Sequence, residues 1–137
     1  MPDRRTYRLN PIGRVRSALK DRRAAPRQGI EGAPEATIEL SPSVLEGLGG
    51  IRAGSEVIVI TWLHESRRDV LKVHPRGEES RPLTGVFATR SPDRPNPLGL
   101  HRVTVLAITG RELKVAPLEA IDGTPVVDIK PVLSEGD

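Results

Sequence analysis

None of the 137 residues is a cysteine. Disulfides, thiolate metal sites and a cysteine nucleophile are therefore excluded. His64, His74 and His101 are the only imidazoles. His64 opens the run HESRR, half of the zinc-protease HExxH pattern, but Arg68 stands where the second histidine must be. No metal site is expected. Aromatic residues are just as scarce, with one tyrosine, one tryptophan and one phenylalanine (Tyr7, Trp62, Phe87). A nucleic-acid platform of several stacked aromatics, of the RRM or OB type, therefore has little support. No apolar run is long enough to span a bilayer, and the start MPDRRTYRLNP lacks the apolar stretch of a secretory signal. The expected protein is cytoplasmic and makes no use of the membrane.

Nucleotide and hydrolase templates are missing too. Gly47-Leu48-Gly49-Gly50 follows an expected helix rather than a strand, and Arg52 occupies the place of the third dinucleotide-binding glycine. No Walker loop and no Gly-x-Ser-x-Gly elbow occur.

What the chain does have is arginine, 17 of its 21 basic residues, and a net charge of +3 that is unevenly spread. Residues 1–30 sum to +7 and residues 61–111 to +4, whereas 31–60 and 112–137 each sum to −4. Arginine suits forked contacts with phosphate or carboxylate, although a solvated arginine-rich surface has the same composition.

Hydrophobic alternation predicts strands at Tyr7–Ser17 (interrupted near Pro11), Ala36–Leu40, Ser55–Leu63, Val70–Val73, Leu83–Thr89, Leu98–Thr109, Leu113–Ala116 and Val126–Val132. Ser55–Leu63 is β-branched and continuous enough to be buried on both faces. Ser41-Pro42 starts one short helix that ends at Gly49-Gly50. Length allows one domain, residues 1–137. The fold class is mainly β: a small antiparallel β-barrel with one short helix.

The densest polar segment is Arg90–Pro97 inside GVFATRSPDRPNPLGL, with two arginines, an aspartate, an asparagine and three prolines in eight positions. Proline fixes φ and restrains the residue before it, so the loop has little backbone freedom and holds its guanidinium groups in place. Other polar strand-end segments are Pro26-Arg27-Gln28, His64-Glu65 and Leu118–Lys130. Each has a plain reading as well. Arg27 reads equally as a solvated loop arginine, His64 as a strand-end histidine with a satisfied hydrogen bond, and Asp122 as a turn-former. Asp128 and Lys130, two apart on a strand, share a face and can simply pair.

FATRSPDRPNPLGL together with DGTPVVDIKP closely resembles the TsaA/TrmO-like (YaeB-like) family of S-adenosylmethionine-dependent tRNA methyltransferases. Ile12-Gly13 with Ser17, Pro26-Arg27-Gln28, Trp62-Leu63-His64 and Leu118 extend the resemblance over nearly the whole chain. It implies a β-barrel homodimer that binds S-adenosyl-L-methionine near the subunit interface and N6-methylates threonylcarbamoyladenosine 37 of tRNA. By matching position it assigns Pro26, Arg27, Gln28, His64, Glu65, Arg90 and Leu100 to the cofactor. Leu118 and Glu119 match the stretch that reads the adenine. Arg94 is a candidate for holding the loop or the RNA, Asn96 and Lys130 for holding the RNA, and Asp122 or Asp128 for accepting the released proton. His101 stands where the family usually has serine, Glu119 where aspartate is common, Glu65 where glutamine is common and Val132 where tyrosine often occurs. No additional C-terminal domain is expected. A methyltransferase with another small-molecule or nucleic-acid substrate, or a non-catalytic barrel that binds a ligand or partner, are the alternatives.

Overall fold

The structure, a computed structural model, describes residues 5–20, 34–75 and 78–133. Six strands close into an antiparallel barrel in the order β1 (Gly13–Arg16), β2 (Ala36–Leu40), β7 (Glu112–Ala116), β6 (Leu98–Thr109), β3 (Glu56–Trp62) and β8 (Pro125–Pro131). A separate two-stranded hairpin pairs β4 (Lys72–Val73) with β5 (Thr84–Gly85).

Strict alternation builds the core. Val15, Ile38, Val57, Val59, Val103, Val105, Leu113, Val115 and Val126 are all buried in one cluster. Side chains two apart on a strand share a face, so each strand commits alternate β-branched residues to the interior. Fully burying each such side chain contributes about 1.5–3 kcal/mol before the entropy of ordering is subtracted. The expected helix is a 3-10 helix, Pro42–Leu48. Its Val44, Leu45 and Leu48 pack with Ile51 against the core.

Three expectations change. On β3 only Val57, Val59 and Thr61 are buried, while Ile58, Ile60 and Trp62 face outward and are half-buried. Among the described residues no second layer covers that wall, so burial is one-sided. Leu83–Thr89 is not a continuous strand, because pairing ends at Gly85 and Val86–Ala88 turns as a 3-10 helix. That turn is held by Val86, the one buried residue in the segment, whose N–H donates to Leu71 O at 2.9 Å. The first strand is only Gly13–Arg16, and Tyr7, placed in it by alternation, is exposed.

Antiparallel order decides where the loops lie. β1, β3 and β7 finish at one rim of the barrel, and β2, β6 and β8 start there. The β1–β2 connection, the long β3–β6 excursion and the β7–β8 connection therefore all open onto this rim. The 3-10 helix and the β6–β7 turn at Gly110 occupy the other end. Among the described residues no helix is long and apolar enough to cross a membrane.

Gly13 is the tightest strand crossing, since a Cβ there would overlap the Glu39 carbonyl. Gly13→Ala is expected to cost about 1–3 kcal/mol through overpacking. Gly47→Ala, where a Cβ would meet nothing within 4 Å, is the control. Urea midpoints of the two variants check it.

Candidate functional site

The β3–β6 excursion returns as the proline-rich loop Arg90–Pro97, which two arginine side chains hold in shape, Arg94 from within the loop and Arg68 from outside it. Arg94 turns its guanidinium inward onto three backbone carbonyls: Val86 O at 2.6 Å, Thr89 O at 3.1 Å and Ser91 O at 3.1 Å. Arg68 reaches across from the segment after β3. Its Nε donates to Pro95 O at 2.6 Å and Nη2 to Asn96 Oδ1 at 3.0 Å, while the guanidinium lies 5.1 Å from the Trp62 ring centre. Arg67 contributes main chain, its N–H donating to Asp93 Oδ1 at 2.9 Å and its carbonyl accepting from Arg94 N–H at 3.0 Å. Leu63 N–H donates to Pro97 O at 2.8 Å. The guanidinium bonds among these are charge-assisted, a kind roughly twice as strong as neutral ones.

Arg90 differs from its neighbours. It is exposed and makes no hydrogen bond or ion pair among the described residues. The loop's other guanidinium is spent on its own shape, so Arg90 is the cation it presents outward.

His64 and Glu65 follow β3 at the same rim, His64 Nε2 lying 3.9 Å from Glu65 Oε2. Leu118 and Glu119 follow β7; Leu118 is fully buried and its N–H donates to Pro34 O at 3.3 Å. Pro26, Arg27 and Gln28 lie outside the described residues. Asp122 also sits here, where its Oδ1 accepts from Ser17 N–H at 2.9 Å and its Oδ2 lies 3.2 Å from Lys20 Nζ. Those two contacts, the backbone bond first, hold its carboxyl below the usual carboxylate range. An acid so stabilised is a weak proton acceptor, and its geometry is that of a β1–β8 fastener.

The remaining candidates are elsewhere. Leu100 faces outward on β6, half exposed beside Ile60. Asp128 and Lys130 face outward on β8, 3.6 Å apart. At about 3.3 Å per residue Lys130 lies roughly 17 Å along the strand from the rim. Asn96 uses its side-chain oxygen on Arg68. Among the described residues no cluster of His, Asp or Glu could hold a metal ion. A cleft of about 610 Å³, lined in part by Arg14, Arg16, Lys20, Lys114 and Asp122, lies on the β1–β2–β7 side, away from the central loop. Its cations are already paired: Arg16 with Glu112, Lys20 with Asp122 and Lys114 with Glu35.

Two features have little signature in the sequence. One is the Arg68 latch, whose hint is a pair of arginines directly after a buried strand and its tryptophan. The other lies just inside the rim, where Thr61 Oγ1 and His101 Nε2 are 2.8 Å apart. A Cβ on Gly99 would come within 2.5 Å of that hydroxyl and 2.8 Å of that nitrogen. Glycine at 99 is what makes room for the pair. Burial pushes the His101 imidazole down to about 4, so it is neutral at ordinary pH.

Residues 14–137 match the family described as the tRNA-methyltransferase O N-terminal domain. The chain belongs to this family. It is 44% identical over 130 residues to a Methanothermobacter thermautotrophicus protein named "Probable S-adenosyl-L-methionine-binding protein", covering 95% of this chain and 93% of that one. An Archaeoglobus fulgidus protein named S-adenosyl-L-methionine-binding protein is 43% identical over 129 residues, covering 94% and 91%. A crystal structure of TrmO from P. aeruginosa superposes with a TM-score of 0.77 at 32% identity, covering 98% of this chain. This chain spans only 58% of that TrmO chain.

Two outcomes are expected. Arg68→Ala frees the central loop, and Arg68→Lys does not rescue it because one ammonium cannot make the forked contact. Amide hydrogen exchange should rise at residues 90–97 in both variants while the barrel strands stay protected. Acidification should act through His101. The unfolded imidazole takes up its proton near pH 6.5 and the folded one only near 4, so stability falls as pH drops through that window, by at most about 3 kcal/mol. His101→Ser should flatten that part of the stability–pH curve, read from urea midpoints between pH 7 and 4.

Proposed function

We propose that this chain is the S-adenosylmethionine-binding barrel of a tRNA methyltransferase that acts on N6 of threonylcarbamoyladenosine 37. The observation that carries the reading is Arg90, the unspent guanidinium of a loop whose other polar groups are used to hold it still. Family membership and the names of the two archaeal relatives support the cofactor. The donor set suits it: a free guanidinium for the carboxylate, His64 at the same rim, and the Leu118–Glu119 main chain for the adenine edge.

The cofactor supplies a methyl group on a sulfonium, which transfers by in-line displacement without a metal or a covalent enzyme intermediate. The protein's task is then alignment. A rigid Arg90 loop fixes one end of the donor, and holding the acceptor nitrogen at ~3–3.5 Å from the methyl carbon provides most of the rate. No proton acceptor is assigned, since Asp122 is committed to Ser17 and Lys20 and Asp128 lies out on the β8 wall. The assembly we propose is a homodimer joined through the apolar outer wall of β3 and β6, where Leu98 and Leu100 are half exposed. Leu100 on that wall fits a cofactor held close to the subunit interface.

A second reading keeps the cofactor and changes the acceptor. His101, a serine position in the resembling family, favours it.

Purified protein is incubated with S-adenosylmethionine and tRNA, and the nucleosides are read by mass spectrometry. Formation of the methylated threonylcarbamoyl nucleoside is expected; cofactor binding without it selects the second reading. Arg90→Ala should weaken S-adenosylmethionine binding at least tenfold by calorimetry, about the 1.5–3 kcal/mol of a charge-assisted bond, with an unchanged melting temperature. Unchanged affinity would return Arg90 to the solvent.

A further inference from the structure

Phe87 is 80% exposed, the most exposed aromatic side chain of the described residues, and its ring makes no aromatic or cation–π contact there. The backbone beneath it is among the most firmly fixed in the β3–β6 excursion. Val86, its neighbour, is 1% exposed. The Val86 carbonyl accepts from Thr89 N–H at 3.0 Å, Thr89 Oγ1 at 3.0 Å and Arg94 Nη2 at 2.6 Å. Folding alone does not account for a pinned pedestal that holds an apolar ring in water. A ring that served only the core would be turned inward, as Val86 is.

The surroundings say what the ring meets. Arg90 follows three residues later on the loop that presents it. Lys72, on β4 directly opposite Gly85, is exposed and makes no hydrogen bond or ion pair among the described residues. Leu71 and Leu83 on the same hairpin are more than half exposed. A purely apolar partner would cover Phe87 at the cost of desolvating an unpaired ammonium. A nucleotide satisfies both groups, with its base flat on the ring and its phosphate beside Lys72.

We infer that Phe87 is a stacking post for an unpaired base in the loop of the RNA substrate, with Lys72 taking a neighbouring phosphate. The inference rests on the tRNA reading above and adds the point at which the RNA is gripped. One ring is enough for one splayed base, so the scarcity of aromatics is no obstacle. The post stands three residues from Arg90, which places the gripped nucleotide next to the donor. A duplex, whose bases are stacked on one another, offers it no face.

The test is fluorescence anisotropy with a labelled tRNA anticodon stem-loop and with a duplex of the same composition, in the presence of S-adenosylmethionine. Phe87→Ala and Phe87→Leu are each expected to raise the Kd for the stem-loop about tenfold, the loss of one stacked base, and Phe87→Trp to keep it. Duplex binding and the salt slope should not change with Phe87, because phosphate contacts set both. Lys72→Ala should lower the salt slope by about one phosphate. Calorimetry with S-adenosylmethionine and sedimentation are run on every variant. Wild-type affinity in Phe87→Leu overturns the stacking role. A changed sedimenting mass in Phe87→Ala overturns it in favour of a contact between copies of this chain, and a changed cofactor affinity in favour of the cofactor site. Wild-type protein that binds the cofactor but no RNA overturns the tRNA reading, and the stacking post with it.

Discussion

The barrel depends on the seam between its first and last strands. β1 and β8 share a short register, Gly13 with Val126 and Arg14 with Pro125. Four further bonds extend it towards the rim and beyond: Ile12 N–H to Val126 O, Val15 N–H to Thr124 O, Gly123 N–H to Val15 O and Ser17 N–H to the Asp122 carboxylate. Closure removes every free edge from the main sheet. It also brings the end of β1 and the start of β8 together at one rim. Asp122 thus holds the ends of β1 and β8 together at that rim.

Legibility in the sequence followed the range of the interaction. Period-two alternation located Ala36–Leu40, Leu98–Thr109 and the body of β3 because each side chain reports its own face. It could not say whether a second layer covers the outer wall, and so overstated the burial of Ile58 and Ile60. It misread Leu83–Thr89, where one buried valine and a distant arginine outweigh the strand preference of Val86 and Phe87. Arg90 stood out from the sequence as part of a stiffened loop. The resemblance left Arg94 to the loop or the RNA, and only the folded chain, with that guanidinium on three loop carbonyls, decides between them.

Three arginines of one type therefore do three different things. Arg94 folds the loop on itself, Arg68 ties it to the segment after β3, and Arg90 is left exposed. The division follows from geometry: a guanidinium has five donors in a plane, enough to bind several carbonyls at once when the backbone curls around it. Proline supplies the curl, and every proline carbonyl is an acceptor without a competing N–H on the same residue.

The partners that Arg94 and Arg68 chiefly use are main-chain oxygens, which are the same whatever side chains the loop carries. The shape of the loop is thereby insulated from much of its own sequence. A residue such as Ser91 can be exchanged without removing a main-chain acceptor, so the exposed surface of the loop can vary while the frame under it stays put. In a scaffold of that kind, substitution on the outer side of the loop changes the chemistry it shows to solvent and leaves its backbone path intact.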